Sequence, residues 1–555
     1  MRIIAESAFN HNGDVDYLLE LAKDTKDTGA DYFTVQVMNV DDFCTKDYAK
    51  YELYKNNTLN FEEWDHVFDW CLQENLEVIP CVLDLYSLNY CYNRGMKFLK
   101  LHATDITNVP MLEFLQGKDD VRLILETQCA TQLEINFALR MIGDKVECLI
   151  HGFSNYPTEI EELNLNSIDY LKGQFPDIEI GFADHSLDIS TIPLMVLAKG
   201  CGYLEKHITR TRNNRNFDYQ VSLYPLEFKQ MVASVQHYKQ ALGIENKHPN
   251  KTELGYRDIM YKKYLPDGSF KRANSGADFL TSKIDGFDKS NCGVSLIARL
   301  KSKRLKRKVL TPFADTFMLD FLHKRLNTAD SRIKTFLATS DLNEDKELLE
   351  IWKKNNYKAF AGDALSVIDR MLELSLQEEF GSIYRVTGDN PLTDIGLMNE
   401  MLELLIENDL DYVRVNGVPF GVSAELFSTK YLWQLYLKMD NPLVSEYLTL
   451  FVLNDSDAKK GCIDVTSEVQ DLRFINLSVD YQKDLDNARQ LIDAVGVNKS
   501  HDITIKDIVV NHQFLHREDE NKRIKLPEGE SVLLSEFIDK LGNQDYFVRK
   551  NKMIS

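Results

Sequence analysis

The chain has 555 residues, of which 44% are hydrophobic and 10% aromatic, so a disordered or collagenous polymer is excluded and there is material for more than one core. Its 65 Lys and Arg against 86 Asp and Glu leave a net charge of −21, which argues against general binding to nucleic acid or to an anionic membrane. No run of about 18 apolar residues occurs, Met1-Arg2-Ile3-Ile4-Ala5-Glu6 is too short for a signal peptide, and the nine scattered Cys contain no CxxC pair, so a cytoplasmic protein with free thiols is expected.

From the first residue onward, apolar runs at 2–7, 31–37, 77–83, 98–103, 122–127, 148–153, 178–184 and 203–208 alternate with amphipathic stretches such as 15–27 and 61–74. Strand–helix alternation specifies a parallel sheet. Eight such units over about 240 residues fit a closed (β/α)8 TIM barrel at 1–245, with an open doubly wound sheet as the alternative. Residues 246–291 are rich in Lys, Asp, Gly and Asn and read as a connector. Alternation resumes with strands expected at 294–298, 333–339, 382–387 and 411–415 and helices at 343–354, 364–378 and 395–407. This is a second, Rossmann-like α/β domain at 292–513. The charged segment 514–555 reads as a tail with a peripheral helix.

Barrel sites form at the C-terminal ends of the strands. Polar residues crowd those positions: Glu6, Gln36, Lys100, Glu126, His151, Asp184, His185, Glu205, Lys206 and His207. A barrel lumen with no site would be apolar there, so a site is expected, with Gln36, Lys100 and Lys206 as substrate-binding candidates. His185 and His207 end consecutive expected strands. Two neutral imidazoles so placed can share one divalent cation and leave positions open for substrate oxygens; the alternative is two histidines bonded to loop backbone. Glu6, Glu126 and Asp218 are the candidate catalytic carboxylates.

In the second domain, residues 299–308 carry seven basic residues in ten, directly after an expected strand. In so acidic a chain this points to a triphosphate, whose charge clustered cations stabilise during transfer; a solvated basic face or a localisation signal is the alternative. The absence of GxxxxGK[ST] excludes a Walker-type loop. Asp389 follows the strand expected at 382–387, and Asp480 follows Leu477-Ser478-Val479 in the same way. Together they could hold Mg2+ against a nucleotide's phosphates, although a helix cap is the commoner role for either alone.

These residues carry two resemblances. Ala5-Glu6-Ser7-Ala8-Phe9-Asn10-His11-Asn12-Gly13, Gly29-Ala30-Asp31 with Gln36, Ser154-Asn155-Tyr156-Pro157-Thr158, Gly181-Phe182-Ala183-Asp184-His185-Ser186 and Leu204-Glu205-Lys206-His207-Ile208-Thr209 resemble, in order, the motifs of the sialic acid synthase family. The resemblance implies a TIM barrel that condenses phosphoenolpyruvate with an amino-sugar aldehyde. A divalent metal, often Mn2+, would sit on His185 and His207, Glu6 near the reacting carbons, Asp218 on the sugar, and Asn155 and Tyr156 in the sugar-side loop. Thr34, Val121, Glu126 and Ala183 stand where that family holds the phosphate with Lys and Ser, and Glu126 adds negative charge. Ala298-Arg299, Ser302, Arg304-Leu305 and Lys308, with Ala338-Thr339-Ser340 and Asp345, Gly362 with Val367 and Arg370, and Gly421 with Glu425, resemble the cytidylyltransferase family of the spore-coat polysaccharide group. That implies attack of a sugar oxygen on the α-phosphate of CTP, with Arg299 and Lys308 catalytic, Ser302 and Arg304 on substrate, and Mg2+ on Asp389 and Asp480. The combined expectation is a bifunctional enzyme that builds and activates a sugar acid for surface polysaccharide. The rival is a cytidylyltransferase whose divergent barrel only binds sugar or performs another metal-dependent sugar reaction. The partners are small molecules, with neither nucleic acid nor membrane, and a homo-oligomer is compatible with the sequence.

Overall fold

Eight parallel strands close into a barrel in the first of two units, Met1–Glu245, and an eight-stranded sheet runs through the second, Asn246–Ser555. The computed structural model describes the chain except residues 214–216, 245–246, 302–303, 440, 444–447, 470–471, 497–500, 526–530 and 555, and the side chains of 514, 524 and 525. The statements below concern the described residues.

The barrel strands are β1 (Arg2–Glu6), β2 (Tyr32–Val37), β3 (Val78–Val82), β4 (Phe98–Leu101), β5 (Arg122–Glu126), β6 (Val146–Gly152), β7 (Glu179–Ala183) and β8 (Tyr203–His207). Each lies within or beside an apolar run of the sequence, and β1 pairs with both β2 and β8 to close the ring. Alternation decides what faces the lumen, because successive strand side chains point to opposite faces. Ile4, Tyr32, Ile79, Phe98, Ile124, Cys148, Ile150, Ala183 and Tyr203 form one buried cluster inside the ring. The residues between them, such as Ile3, Phe33, Leu99, Leu123, Leu149 and Leu204, pack outward against the helices. Gly181 is required by this closure: a Cβ there would stand 3.0 Å from Ile150 and from Tyr203. The helices carry their own stop signals. Asp14 caps Val15–Thr28, which ends on Gly29 at φ 80°, and Asn60 and Glu63 cap Phe61–Gln73 reciprocally, at 3.0 and 2.8 Å.

The second sheet contains β9 (Cys292–Ile297), β10 (Ile333–Ser340), β11 (Ala359–Gly362), β12 (Ser382–Thr387), β13 (Tyr412–Asn416), β14 (Glu425–Ser428), β15 (Lys460–Ser467) and β16 (Val548–Ile554). Their spatial order is β11-β10-β9-β12-β14-β13-β15-β16, with β14 antiparallel to both neighbours and the other pairs parallel. The four expected strands and three expected helices are present, within a few residues at their ends.

Two segments differ from expectation. The connector is structured: helix Phe279–Asp285 buries Ile284 in the second unit's core, and Trp433 donates to Thr281 at 3.0 Å. The tail does hold a helix, Leu534–Gly542, but it then adds β16 to the main sheet beside β15. Its sequence, Val548-Arg549-Lys550-Asn551-Lys552-Met553-Ile554, is that of an edge strand, charged at Arg549, Lys550 and Lys552. Lys550 and Lys552 both pair with Glu400. No helix is long and apolar enough to cross a membrane, and all nine cysteines are free.

Candidate active sites

Strand parity brings Glu6, Gln36, Lys100, Glu126, Glu205 and His207 to the lumen side of the barrel. At its centre the Lys100 ammonium contacts three carboxylates: Glu6 at 2.6 Å, Glu205 at 2.7 Å and Glu126 at 2.9 Å, all buried. Glu6 also accepts from the Ala8 N–H at 3.1 Å, and Glu126 from the Ala103 N–H at 3.2 Å. Burial raises each carboxyl, and Lys100 opposes it. For Glu126, Lys100 outweighs burial and holds the group at about 2. Burial wins at Glu205, which is pushed up to about 8, and at Glu6, which is raised. Lys100 itself is held well above its usual value, because its three partners overcome the cost of burial. It is thus saturated by carboxylates, not held ready for a substrate anion.

Around this cluster the mouth is lined by Glu6, Gln36, His102, Ala103, Glu126, Gln128, Ser154, Tyr156, His185, Glu205, His207 and Asp218. No Lys or Arg belongs to that lining among the described residues. Asp218 takes a left-handed backbone conformation at φ 55°. Burial, with Glu6 adding to it, pushes its carboxyl up to about 6. Thr34 and Ala183, at the positions of the expected phosphate contacts, are buried, and the Thr34 hydroxyl has no partner.

His185 and His207 meet with ring centroids 5.2 Å apart, and Tyr156 lies 4.6 Å from the His185 ring. The His185 Nδ1 bonds the Phe153 carbonyl at 2.7 Å, which leaves Nε2 as the free lone pair. The buried Nδ1 of His207 has no partner. Burial lowers both histidines, with His185 adding to the effect at His207, so both rings are neutral. No three His, Cys, Asp or Glu side chains converge on a metal position among the described residues. The donor set nevertheless fits a divalent cation completed by water or substrate oxygens.

Three expected mouth residues face the other way. Lys206 is buried outside the ring, where it contacts Asp184 at 2.6 Å and the Ser186 carbonyl at 2.6 Å. Asp184 is therefore its counter-ion, and His151, on the outward face of β6, lies 6.1 Å from the Phe182 ring. All three fall one residue out of phase with the lumen positions. Asn155 is exposed, with its amide donating to Glu162 at 3.3 Å, while its neighbours Ser154 and Tyr156 line the mouth.

In the second unit, Lys308 contacts Asp389 at 2.7 Å and Asp480 at 2.9 Å, and Arg304 contacts Asp480 at 2.7 Å. Backbone geometry sets this convergence. The Gly388 N–H donates to the Ile297 carbonyl at 2.8 Å, and the Val479 N–H to the Asp389 carbonyl at 2.8 Å. A Cβ on Gly388 would stand 2.8 Å from the end of the Leu319 side chain and 3.2 Å from the Ile297 carbonyl oxygen, so the approach is close there. Buried Asp345 anchors the start of the basic loop by accepting from the Leu300 N–H at 2.7 Å and from the Ser340 hydroxyl. Burial lowers Lys308, but Asp389 and Asp480 outweigh it and raise the ammonium. The two carboxylates already share one cation, and their hard oxygens suit Mg2+. Asp480 does not follow a strand: it lies in the turn before helix Gln482–Val495, with its N–H donating to Asp484 at 3.1 Å. Arg299 joins another network, donating to the Ala364 carbonyl at 2.6 Å. Ser302 lies outside the described residues.

The sequence reading missed the walls of a large cavity in this unit. Arg414, Asn416, Thr449 and residues of helix Leu534–Gly542 line it. The sequence signals were Gly421 with Glu425, and a basic residue inside the apolar strand Tyr412-Val413-Arg414-Val415-Asn416.

A closed parallel barrel with a polar mouth, in one chain with a Rossmann-like sheet that carries a cation–carboxylate cluster at its loops, fits a two-domain transferase of the sugar-acid type. The NeuB family matches residues 22–247 and the Cytidylyltransferase family residues 296–521; the chain belongs to the NeuB family through its first half, and its second half is similar to the cytidylyltransferases. An uncharacterized protein of Methanocaldococcus jannaschii is 33% identical over 292 residues, which are 50% of this chain and 86% of that protein. N,N'-diacetyllegionaminic acid synthase of Legionella pneumophila is 30% identical over 279 residues, 46% of this chain and 78% of the synthase. A solved cytidylyltransferase of Leptospira borgpetersenii shows 25% identity and a TM-score of 0.38, covering 41% of this chain and 98% of its own. The protein is an enzyme with a nucleotidyltransferase domain, and the pair of domains fits bifunctional sugar-acid biosynthesis.

Proposed function

We propose that the second unit transfers the cytidylyl group of CTP to a sugar acid made by the barrel, in the synthesis of a surface polysaccharide. The observation that carries this is the convergence of Arg304, Lys308, Asp389 and Asp480 on one point at the loops of the sheet. A sugar hydroxyl bonds to the α-phosphorus, the bond to the β-phosphate oxygen breaks, pyrophosphate leaves with its electron pair, and the hydroxyl proton passes to solvent. Arg304 and Lys308 stabilise charge on the phosphates, and Asp389 and Asp480 would hold Mg2+, which neutralises the triphosphate when bound. Arg299 is placed by Ala364 at the start of the same loop and Ser302 belongs to it, so both are proposed as phosphate-side groups.

In the barrel, His185 and His207 would hold a divalent metal such as Mn2+, which polarises an aldehyde when bound. Asp218 accepts from sugar hydroxyls, Gln36 and Tyr156 orient the sugar at the mouth, and Glu6 stands beside the reacting carbons. The condensation joins the enol carbon of phosphoenolpyruvate to the aldehyde carbon; water adds to the enol phosphate carbon, and phosphate leaves.

One observation favours a second reading of the barrel. Phosphoenolpyruvate carries a phosphate and a carboxylate, whereas the lining offers four carboxylates and neither Lys nor Arg among the described residues. On that reading the barrel binds the sugar or performs another metal-dependent step on it.

The test is a two-product assay on the full chain with Mn2+, Mg2+, CTP, phosphoenolpyruvate and amino-sugar aldehydes, with phosphate and pyrophosphate followed separately. Release of both supports the condensation. Pyrophosphate from a preformed sugar acid, with no phosphate from any aldehyde, removes the condensation and leaves the transferase. We expect His185→Ala to lower phosphate release by about 10²-fold or more, as loss of a metal ligand does, and to leave pyrophosphate release from a preformed sugar acid unchanged. Excess EDTA is expected to stop both reactions, with Mg2+ alone restoring pyrophosphate release.

A further inference from the structure

Of the four carboxylates in the barrel mouth, three are already paired. Glu6, Glu126 and Glu205 share the Lys100 ammonium. The Asp218 side chain makes no hydrogen bond or ion pair among the described residues; only its backbone carbonyl is engaged, accepting from the Ser222 hydroxyl at 2.7 Å. Its carboxylate faces the like charge of Glu6, with a weaker opposing influence from His102. Gln128, from the loop after β5, stands in the same lining. It is only 5% exposed, and its buried Oε1 has no partner. Both groups are acceptors, and a buried acceptor left unmatched is costly until a donor reaches it. The rest of the wall narrows the kind of donor. Among the described residues it holds no Lys or Arg, and Ala103 is its only aliphatic side chain.

We propose that Asp218 and Gln128 are the receptor for a free ammonium group on the sugar, so that the barrel selects amino sugars over their N-acetyl derivatives. The proposal rests on the reading of the barrel as a sugar site and names the form of that sugar; it holds whether the barrel condenses the sugar or only binds it. An ammonium brings three donors and a full charge, which match an unpaired carboxylate and an amide oxygen. An acetamido group is neutral and brings a single N–H. It would also turn a carbonyl oxygen toward carboxylates, and its methyl needs apolar contact that Ala103 alone does not supply. Asp218 has two oxygens, so it can take the ammonium on one and the hydroxyl of the neighbouring sugar carbon on the other.

The experiment measures binding to the full chain by calorimetry, which needs no turnover, at about pH 7, where such an amine is largely protonated. The probes are mannosamine with N-acetylmannosamine, and glucosamine with N-acetylglucosamine. Each titration is run once with Mn2+ and once with EDTA, so that competition from a metal for Asp218 is read directly. We expect wild type to bind the better amine about tenfold or more tightly than its acetyl derivative in both conditions. Asp218→Asn keeps the shape and removes the charge, and it should bring the two sugars within about twofold of each other. Gln128→Leu should weaken the amine about threefold and leave the acetyl sugar unchanged; with the wild-type ratio it decides the matter if Asp218→Asn does not fold. Equal binding of amine and acetyl sugar by wild type, a preference that Asp218→Asn retains, or one that Mn2+ abolishes overturns the proposal and leaves the sugar site standing. Binding of none of the four sugars removes the sugar reading of the barrel and the proposal with it.

Discussion

Replacing Lys308 with alanine is expected to lower CTP-dependent pyrophosphate release by about 10²- to 10³-fold, the usual loss when one preorganised stabiliser of developing charge is removed. Among the described residues, Lys308 is the single group that contacts both Asp389 and Asp480, at 2.7 and 2.9 Å. Without it the two carboxylates face each other and the nucleotide's phosphates with one cation fewer, so both kcat and the affinity for CTP should fall. Arg304 cannot compensate, because it reaches only Asp480 and lies toward the exposed side. The side chain is not part of a hydrophobic core, so the melting temperature should stay close to that of wild type. Initial rates of pyrophosphate release with a saturating sugar acid provide the check. A variant with wild-type rates would reduce the cluster to a structural ion pair.

The second large effect concerns stability. Lys100→Met leaves Glu6, Glu126 and Glu205 buried without their common cation. Removing one partner of a buried ion pair costs about 3–5 kcal/mol, which for a unit of this size lowers the melting temperature by roughly 6 to 20 °C. The loss has a defined pH dependence. In wild type, Glu126 is held at about 2, so its contribution is present above the unfolded value of about 4.5 and is lost as pH falls through about 2. In the variant, burial and the mutual repulsion of the three carboxylates outweigh the N–H donors of Ala8 and Ala103 and raise the carboxyls above their unfolded values. Their contribution is then greatest below about 4.5 and is lost as pH rises through the raised values. Melts of the variant at pH 5 and pH 8 should differ more than those of wild type, with the variant less stable at pH 8. Equal shifts at the two values would contradict the account of this cluster.

The barrel was legible in the sequence because its strands are short apolar runs separated by amphipathic helices, and its closure follows from their number. The mouth was only partly legible. Proximity to a strand end put His151, Asp184 and Lys206 beside Glu205 and His207, but the two-residue period of a strand sends the first three outward. The phase set by Ile4, Tyr32 and Tyr203 distinguishes lumen positions from outward ones. The pairing of Lys100 with three glutamates was not legible at all, since its partners come from β1, β5 and β8 and meet only after closure.

In the second unit the central strands carry apolar runs, while the edge does not. β16 reads as a charged tail because an edge strand buries little of its length and carries charge at Arg549, Lys550 and Lys552. Lys308, Asp389 and Asp480 were found from composition and from their places after apolar segments, although Asp480 sits in a turn. The cavity around Arg414 escaped because its wall is assembled from residues near 390, 414–425, 464–478 and 537–543. No local pattern joins those segments, and its traces were Gly421 with Glu425 and one arginine in an apolar strand.

The measurement that bears most directly on the whole account is carbon flow through the intact chain. Phosphoenolpyruvate labelled in its carbon skeleton would be incubated with an amino-sugar aldehyde, CTP, Mn2+ and Mg2+, and the label traced by chromatography. The account predicts label in a cytidylylated sugar acid, with one phosphate and one pyrophosphate released for each product formed. Label that stays in phosphoenolpyruvate, while preformed sugar acid is converted to its cytidylyl form by the same sample, would contradict the bifunctional claim.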